Sequence, residues 1–162
     1  MMYYKYFSSK RYVNLGSIAY RQWRADSHCN LIHGYSPSFY FEFGTNELDV
    51  RNWAIDFGGL APLKEQLEAW FDHTLLVAKD DPFREELVEL HNRYAKVIEV
   101  DSTGCEALAE WLYKWLNDPS DGFLKLLAGD RDIWCTRIEI SETINNMGGV
   151  QGTPDTWHLF ER

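Results

Sequence analysis

The stretch Pro37-Ser38-Phe39-Tyr40-Phe41-Glu42-Phe43, "PSFYFEF", sets three phenylalanines at every second position with Ser38, Tyr40 and Glu42 between them. Successive side chains of an extended strand point to opposite faces, so this spacing draws one aromatic face and one polar face, the mark of a half-buried strand. Such a face needs apolar cover. Residues 60–71 supply it: Leu60, Leu63, Leu67 and Trp70 or Phe71 follow by threes and fours, which aligns them on one side of a helix. A second helix is expected from Gly104 to Leu116, burying Leu108, Leu112, Trp115 and Leu116. Its start, Thr103-Gly104-Cys105-Glu106, has the form of a capping box. Residues 12–23, rich in β-branched and aromatic types, are expected to pair with the 37–43 strand and to leave "DSHCNLIHGY", residues 26–35, as the connection. "DDPFREELVELHNRYAKVIEV", residues 80–100, reads as a short helix and then a strand over 96–100. In "DIWCTRIEISET", residues 132–143, Trp134, Thr136, Ile138 and Ile140 alternate with Cys135, Arg137 and Glu139, so the last strand ends in Glu142 on its apolar face. The fold class is α+β, with helices over one face of an antiparallel sheet.

The chain has 162 residues, enough for one domain over 1–162 with a real core. Hydrophobic residues make up 45%, but no run of about eighteen apolar residues occurs, which excludes a transmembrane helix. The N-terminal "MMYYKYFSSKRY" lacks the continuous apolar core of a secretory signal, and a cytoplasmic location is expected. Cys29, Cys105 and Cys135 are odd in number and far apart, which suits reduced thiols better than a disulfide framework. A net charge of -9 argues against nucleic-acid partners, whose phosphates call for a basic surface. "YRQWR" supplies a local exception in Arg21 and Arg24.

Four features carry chemistry. Cys29 is either a small buried hydrophobe or, beside His28, Arg24 and His33, a thiol whose pKa its neighbours lower toward the reactive thiolate. Cys29, His33 and His28 also have zinc-ligand chemistry. A closed structural site needs four ligands and no C-x-x-C completes one, so only an open three-ligand site is available. Asp72-His73, at the end of the first helix, is either a cationic cap on the helix dipole or an Asp-oriented general acid and base. Glu142 is either solvated at a strand end or a buried carboxylate that wants two donors, the fork offered by the amino-pyrimidinone edge of a pterin or guanine. The capping box accounts for Glu106 without any site role.

In this order the features resemble the 6-pyruvoyl-tetrahydropterin synthase and 6-carboxy-tetrahydropterin synthase family over residues 15–145. Cys29 followed by His33-Gly34-Tyr35 is similar to a cysteine before His-Gly-His. Ile55-Asp56-Phe57-Gly58-Gly59-Leu60 with Lys64, Phe71-Asp72-His73-Thr74-Leu75-Leu76, Gly104-Cys105-Glu106 and Glu142-Thr143 resemble the remaining motifs in sequence order. The resemblance implies a tunnelling fold: a four-stranded antiparallel sheet with two helices on one face, closed into a barrel by homo-oligomerisation, commonly as a hexamer, with active sites between subunits. It further implies a pterin substrate, 7,8-dihydroneopterin triphosphate, with Cys29 as the thiolate base, Asp72 and His73 as the proton relay, and Glu142, with Glu106, as pterin anchors.

One departure concerns the metal. The family's three zinc histidines fall at Tyr20, in Ile18-Ala19-Tyr20, and at His33 and Tyr35, so His33 alone is kept. Either His28 joins His33 around zinc or no zinc binds. The resemblance favours a 6-carboxy-tetrahydropterin synthase-like lyase that releases triphosphate and makes a precursor of deazaguanine nucleosides such as queuosine. A 6-pyruvoyl-tetrahydropterin synthase, or a pterin- or purine-binding protein without turnover, is the alternative. Arg21, Arg24 or Arg51 is expected to hold the triphosphate.

Overall fold

The computed structural model describes residues 3–161; Met1, Met2 and Arg162, which the N-terminal and single-domain readings include, lie outside them. Strands β1 (Tyr6–Tyr12), β2 (Ile18–Tyr20), β3 (His33–Tyr35), β4 (Ser38–Thr45), β5 (Thr74–Ala78), β6 (Lys96–Val100), β7 (Ile133–Ser141) and β8 (Met147–Gln151) are joined through helices α1 (Ala61–Phe71), α2 (Arg84–Val88), α3 (Cys105–Asn117) and α4 (Leu124–Ala128). The expected strand is β4. Phe39, Phe41 and Phe43 are fully buried along it. It is an inner strand of an antiparallel sheet in the order β1-β4-β7-β8.

The partner of β4 is not the segment expected. β1 ends at Tyr12, and the chain then turns through Asn14, at φ +58, and Gly16, at φ +154, into β2. Those left-handed torsions end the run of extended backbone. β2 instead pairs antiparallel with β3 and parallel with β5 in a second sheet, β3-β2-β5-β6. Gly16 passes so close to the end of α1 that a Cβ there would lie 2.5 Å from the Cα of Asp72.

α1 buries Leu63, Leu67 and Phe71, and the Phe71 ring packs on Phe39 at 4.9 Å between centroids. Trp70 stands at its flank against Trp111 and Trp115 of α3, at 4.6 and 4.7 Å. Leu108, Leu112, Tyr113 and Leu116 form the buried side of α3, while Trp115 is only partly covered. Both helices therefore lie over the same phenylalanine face, each buried side chain contributing about 2 kcal/mol of transfer free energy.

Two local expectations fail for identifiable reasons. The capping box does not form: Gly104 takes φ +111, and the Thr103 hydroxyl donates instead to the Arg21 carbonyl at 2.7 Å. In β7 the buried apolar residues are Ile133, Cys135, Ile138 and Ile140, so the apolar phase changes partway. The register steps from Phe43↔Cys135 to Glu42↔Arg137, a bulge that inserts Thr136. Beside it the Asn117 side chain serves both backbone groups of Cys135, accepting its N–H at 2.9 Å and donating to its carbonyl at 3.0 Å. Glu142 follows the second phase and keeps the side of the chain expected for it. No helix among the described residues is long and apolar enough to cross a membrane.

Candidate active site

The antiparallel pairing of β2 with β3 sets Tyr20 opposite His33 and Ile18 opposite Tyr35. The three rings of Tyr20, His33 and Tyr35 gather with centroids 5.2 to 5.8 Å apart. Tyr20 is buried, and its hydroxyl donates to Glu142 Oε1 at 2.5 Å, joining β2 to the chain just after β7. Burial, and then the hydrogen bond to Glu142, raise the Tyr20 pKa far above the ordinary phenol range. Burial and the same carboxylate raise that of Tyr35, which therefore faces Glu142 too. The carboxylate expected to want two donors thus has this chain's own phenols beside it. At the level of sequence, Tyr20 and Tyr35 registered only as missing imidazoles.

Cys29 sits in a 3-10 turn, His28–Asn30, capped by Ser27, whose hydroxyl accepts the Cys29 N–H at 3.3 Å. It is half-buried. Cys29 and Cys105 both lie within electrostatic reach of Tyr35. Cys105, at the start of α3, is buried and pushed up to about 11, by burial first and then by Glu142 and Glu106. Cys135 is fully buried, and burial raises its pKa. Alkylation should separate the three: iodoacetamide at pH 8 is expected to label Cys29 and spare Cys105 and Cys135, read by peptide mass mapping. Comparable labelling of Cys105 in the folded protein would contradict this placement.

Asp72 and His73 do meet. His73 adopts φ +53, and this left-handed turn brings its Nδ1 to 2.7 Å from Asp72 Oδ1. A non-glycine residue in that region costs about 1 kcal/mol, a strain that recurs at functional sites. The His73 side chain is largely exposed. It lines a groove of about 920 Å³ with Tyr35, Asn92, Arg93, Tyr94 and Lys96, and among the described residues no Asp or Glu lines it. Cys29 is not in that lining either. The structure thus gathers Cys29, Tyr20 and Glu142 around one side of Tyr35, while His73, with Asp72 behind it, lines the groove on which Tyr35 also opens. Glu106 is exposed and folds over Gly148 of β8, where a Cβ would lie 2.5 Å from its carboxyl carbon.

The three arginines expected to hold a triphosphate are already engaged. Arg21 pairs with buried Asp81 at 3.7 Å and with Asn30. Arg24 pairs with Asp80 and lies over the Trp23 ring. Arg51 pairs with Asp49 at 2.9 Å and Asp56 at 3.1 Å.

Zinc fits this set poorly. His33 Nδ1 lies 2.6 Å from the Leu31 carbonyl, and His28 is exposed in its turn. The other two members of the triangle are phenols, one of them donating its proton to a carboxylate. Among the described residues no three of His, Cys, Asp and Glu converge on a point that could hold a metal ion. Zinc prefers imidazole and thiolate, and its structural and catalytic sites use at least three protein ligands.

The family model for 6-pyruvoyl tetrahydropterin synthase matches residues 16–152, from the turn before β2 to the end of β8. The chain belongs to the 6-pyruvoyl tetrahydropterin synthase family. Members of this family are pterin-processing lyases. An uncharacterised protein of Wolinella succinogenes superposes with a TM-score of 0.70 at 16% identity, covering 91% of this chain and 98% of that one. The 6-pyruvoyl tetrahydropterin synthase of Caenorhabditis elegans gives 0.56 at 16% identity, covering 94% and 100%. That of Plasmodium vivax gives 0.57 at 11%, covering 92% and 99%. At these identities the likeness is one of fold. No curated sequence matches the chain at a significant level.

Proposed function

We propose that this member of the 6-pyruvoyl tetrahydropterin synthase family is a lyase of the 6-carboxy-tetrahydropterin synthase kind, converting 7,8-dihydroneopterin triphosphate with loss of triphosphate. The observation that carries this reading is the Asp72–His73 pair, held at 2.7 Å by a strained left-handed turn. Asp72 orients the ring and stabilises its protonated form, so His73 can pass protons near neutral pH. Cys29 is the base that takes a proton from the substrate's side chain. Glu142 receives N–H donors of the pterin ring, with Glu106 beside it. Arg93, in the groove that His73 lines, faces the anionic end, and Lys96, whose Nζ donates to the Ala69 and Asp72 carbonyls, adds positive charge beside it.

Cys29 and His73 serve one reaction if they come from different copies of the chain. The sheets end in the strands β1, β8, β3 and β6, whose outer edges offer unpaired backbone groups for such an assembly, a homo-oligomer with sites between subunits. A second reading, a pterin-binding protein without turnover, is favoured by Tyr20 and Tyr35 at the zinc positions. Incubation with 7,8-dihydroneopterin triphosphate separates the two. Release of inorganic triphosphate is expected, and the product mass distinguishes the carboxy from the pyruvoyl compound; pterin binding with no release would establish the second reading.

A further inference from the structure

We infer that Tyr20 and Tyr35 substitute a hydroxyl–carboxylate network for a metal centre, and that these two side chains alone keep zinc out of an otherwise intact ligand scaffold. Three imidazoles on one tetrahedral zinc, each with a Zn–N distance of about 2.0 to 2.1 Å, have ring centroids roughly 5 Å apart. The rings of Tyr20, His33 and Tyr35 stand 5.2, 5.6 and 5.8 Å from one another. The backbone of β2 and β3 therefore gathers the three rings about as closely as three zinc-bound imidazoles would stand, in a regular ladder with Tyr20 opposite His33. What has changed is the donor set.

A phenol binds a metal well only as phenolate, and Tyr20 instead keeps its proton and donates it in a hydrogen bond to Glu142. Binding zinc here would break that hydrogen bond and leave a partly buried carboxylate without the donor it now has. The network also does the mechanical work of a metal. It ties β2 to the end of β7 and holds the Glu142 carboxylate by its Oε1. Tyr20 is in this sense a positioning residue. None of this depends on whether the protein turns substrate over, since it concerns only which atoms occupy the centre of the triangle.

The test is metal content after zinc loading and removal of loosely held ions, measured on the wild type, on Tyr20→His/Tyr35→His, and on each with His33→Ala added. The wild type is expected to retain well under one tenth of an ion per chain. The double variant should retain about one, lost again with His33→Ala, and should melt at a higher temperature when zinc is present. A wild type that retains about one zinc sensitive to His33→Ala would overturn the inference, and this measurement stands even if the double variant does not fold. A double variant that folds, by circular dichroism, yet takes no zinc would equally overturn it, because more than the two tyrosines would then separate the site from a metal centre.

Discussion

Cys29→Ala is expected to slow triphosphate release from 7,8-dihydroneopterin triphosphate by about 10²- to 10⁴-fold, the usual worth of a positioned proton-transfer group. The affinity for the pterin should barely move. Cys29 lies half-buried in a turn whose geometry comes from Ser27 and from the Gln22 N–H bonded to the Cys29 carbonyl at 2.9 Å, and neither contact uses the thiol. Removing the sulfur therefore takes away a base without disturbing the turn. Single-turnover release together with pterin binding by calorimetry checks this. Unchanged release would show that Cys29 is not the base, whereas lost binding would mean that it shapes the pocket rather than acts in it. Cys105 makes a poor substitute base, since a thiol pushed up to about 11 is almost wholly protonated near neutral pH.

The largest effect on stability should come from Asn117→Leu, a loss of about 2 to 5 kcal/mol. The two side chains have the same number and branching of heavy atoms, so the change removes the hydrogen-bonding groups while keeping the outline of the side chain. Asn117 is buried and serves the N–H and the carbonyl of Cys135, itself fully buried beside the bulge of β7. Leucine would leave both backbone groups without these partners, and an unsatisfied buried group costs about 1 to 3 kcal/mol. Urea denaturation at one fixed chain concentration is the measurement, because assembly would otherwise shift the midpoint. A loss below about 0.5 kcal/mol, within the range of ordinary surface changes, would mean that water or a rearranged strand takes over the two bonds.

What was legible in the sequence was what depends on near neighbours. "PSFYFEF" and the leucines of α1 declare themselves because strand and helix periods are completed within a few residues. The Asp72–His73 pair is of the same kind, needing only a turn between adjacent residues. Glu142 could be assigned its side from Ile138 and Ile140 alone, although the alternation drawn further back through Trp134 ignored the inserted Thr136. The capping box failed because Thr103 found a partner 82 residues away in the Arg21 carbonyl. Arg21 and Arg24 looked free because Asp81 and Asp80, which engage them, arrive from the far end of β5. The second sheet was likewise hidden, since β2 and β3 are three residues each and take their identity from pairing with one another and with β5.

The hydrogen bond from Tyr20 to Glu142 spans 122 positions of the chain. In a protein made from its N-terminus onward, β2 and β3 are complete early, but the carboxylate that fixes their tyrosines emerges only after the longest strand has been added. The pocket is thus among the last parts of the molecule to mature, and it closes by a contact of very long sequence separation, the kind that slows folding. A growing chain has Cys29, Asp72 and His73 well before it has the carboxylate that completes the pocket.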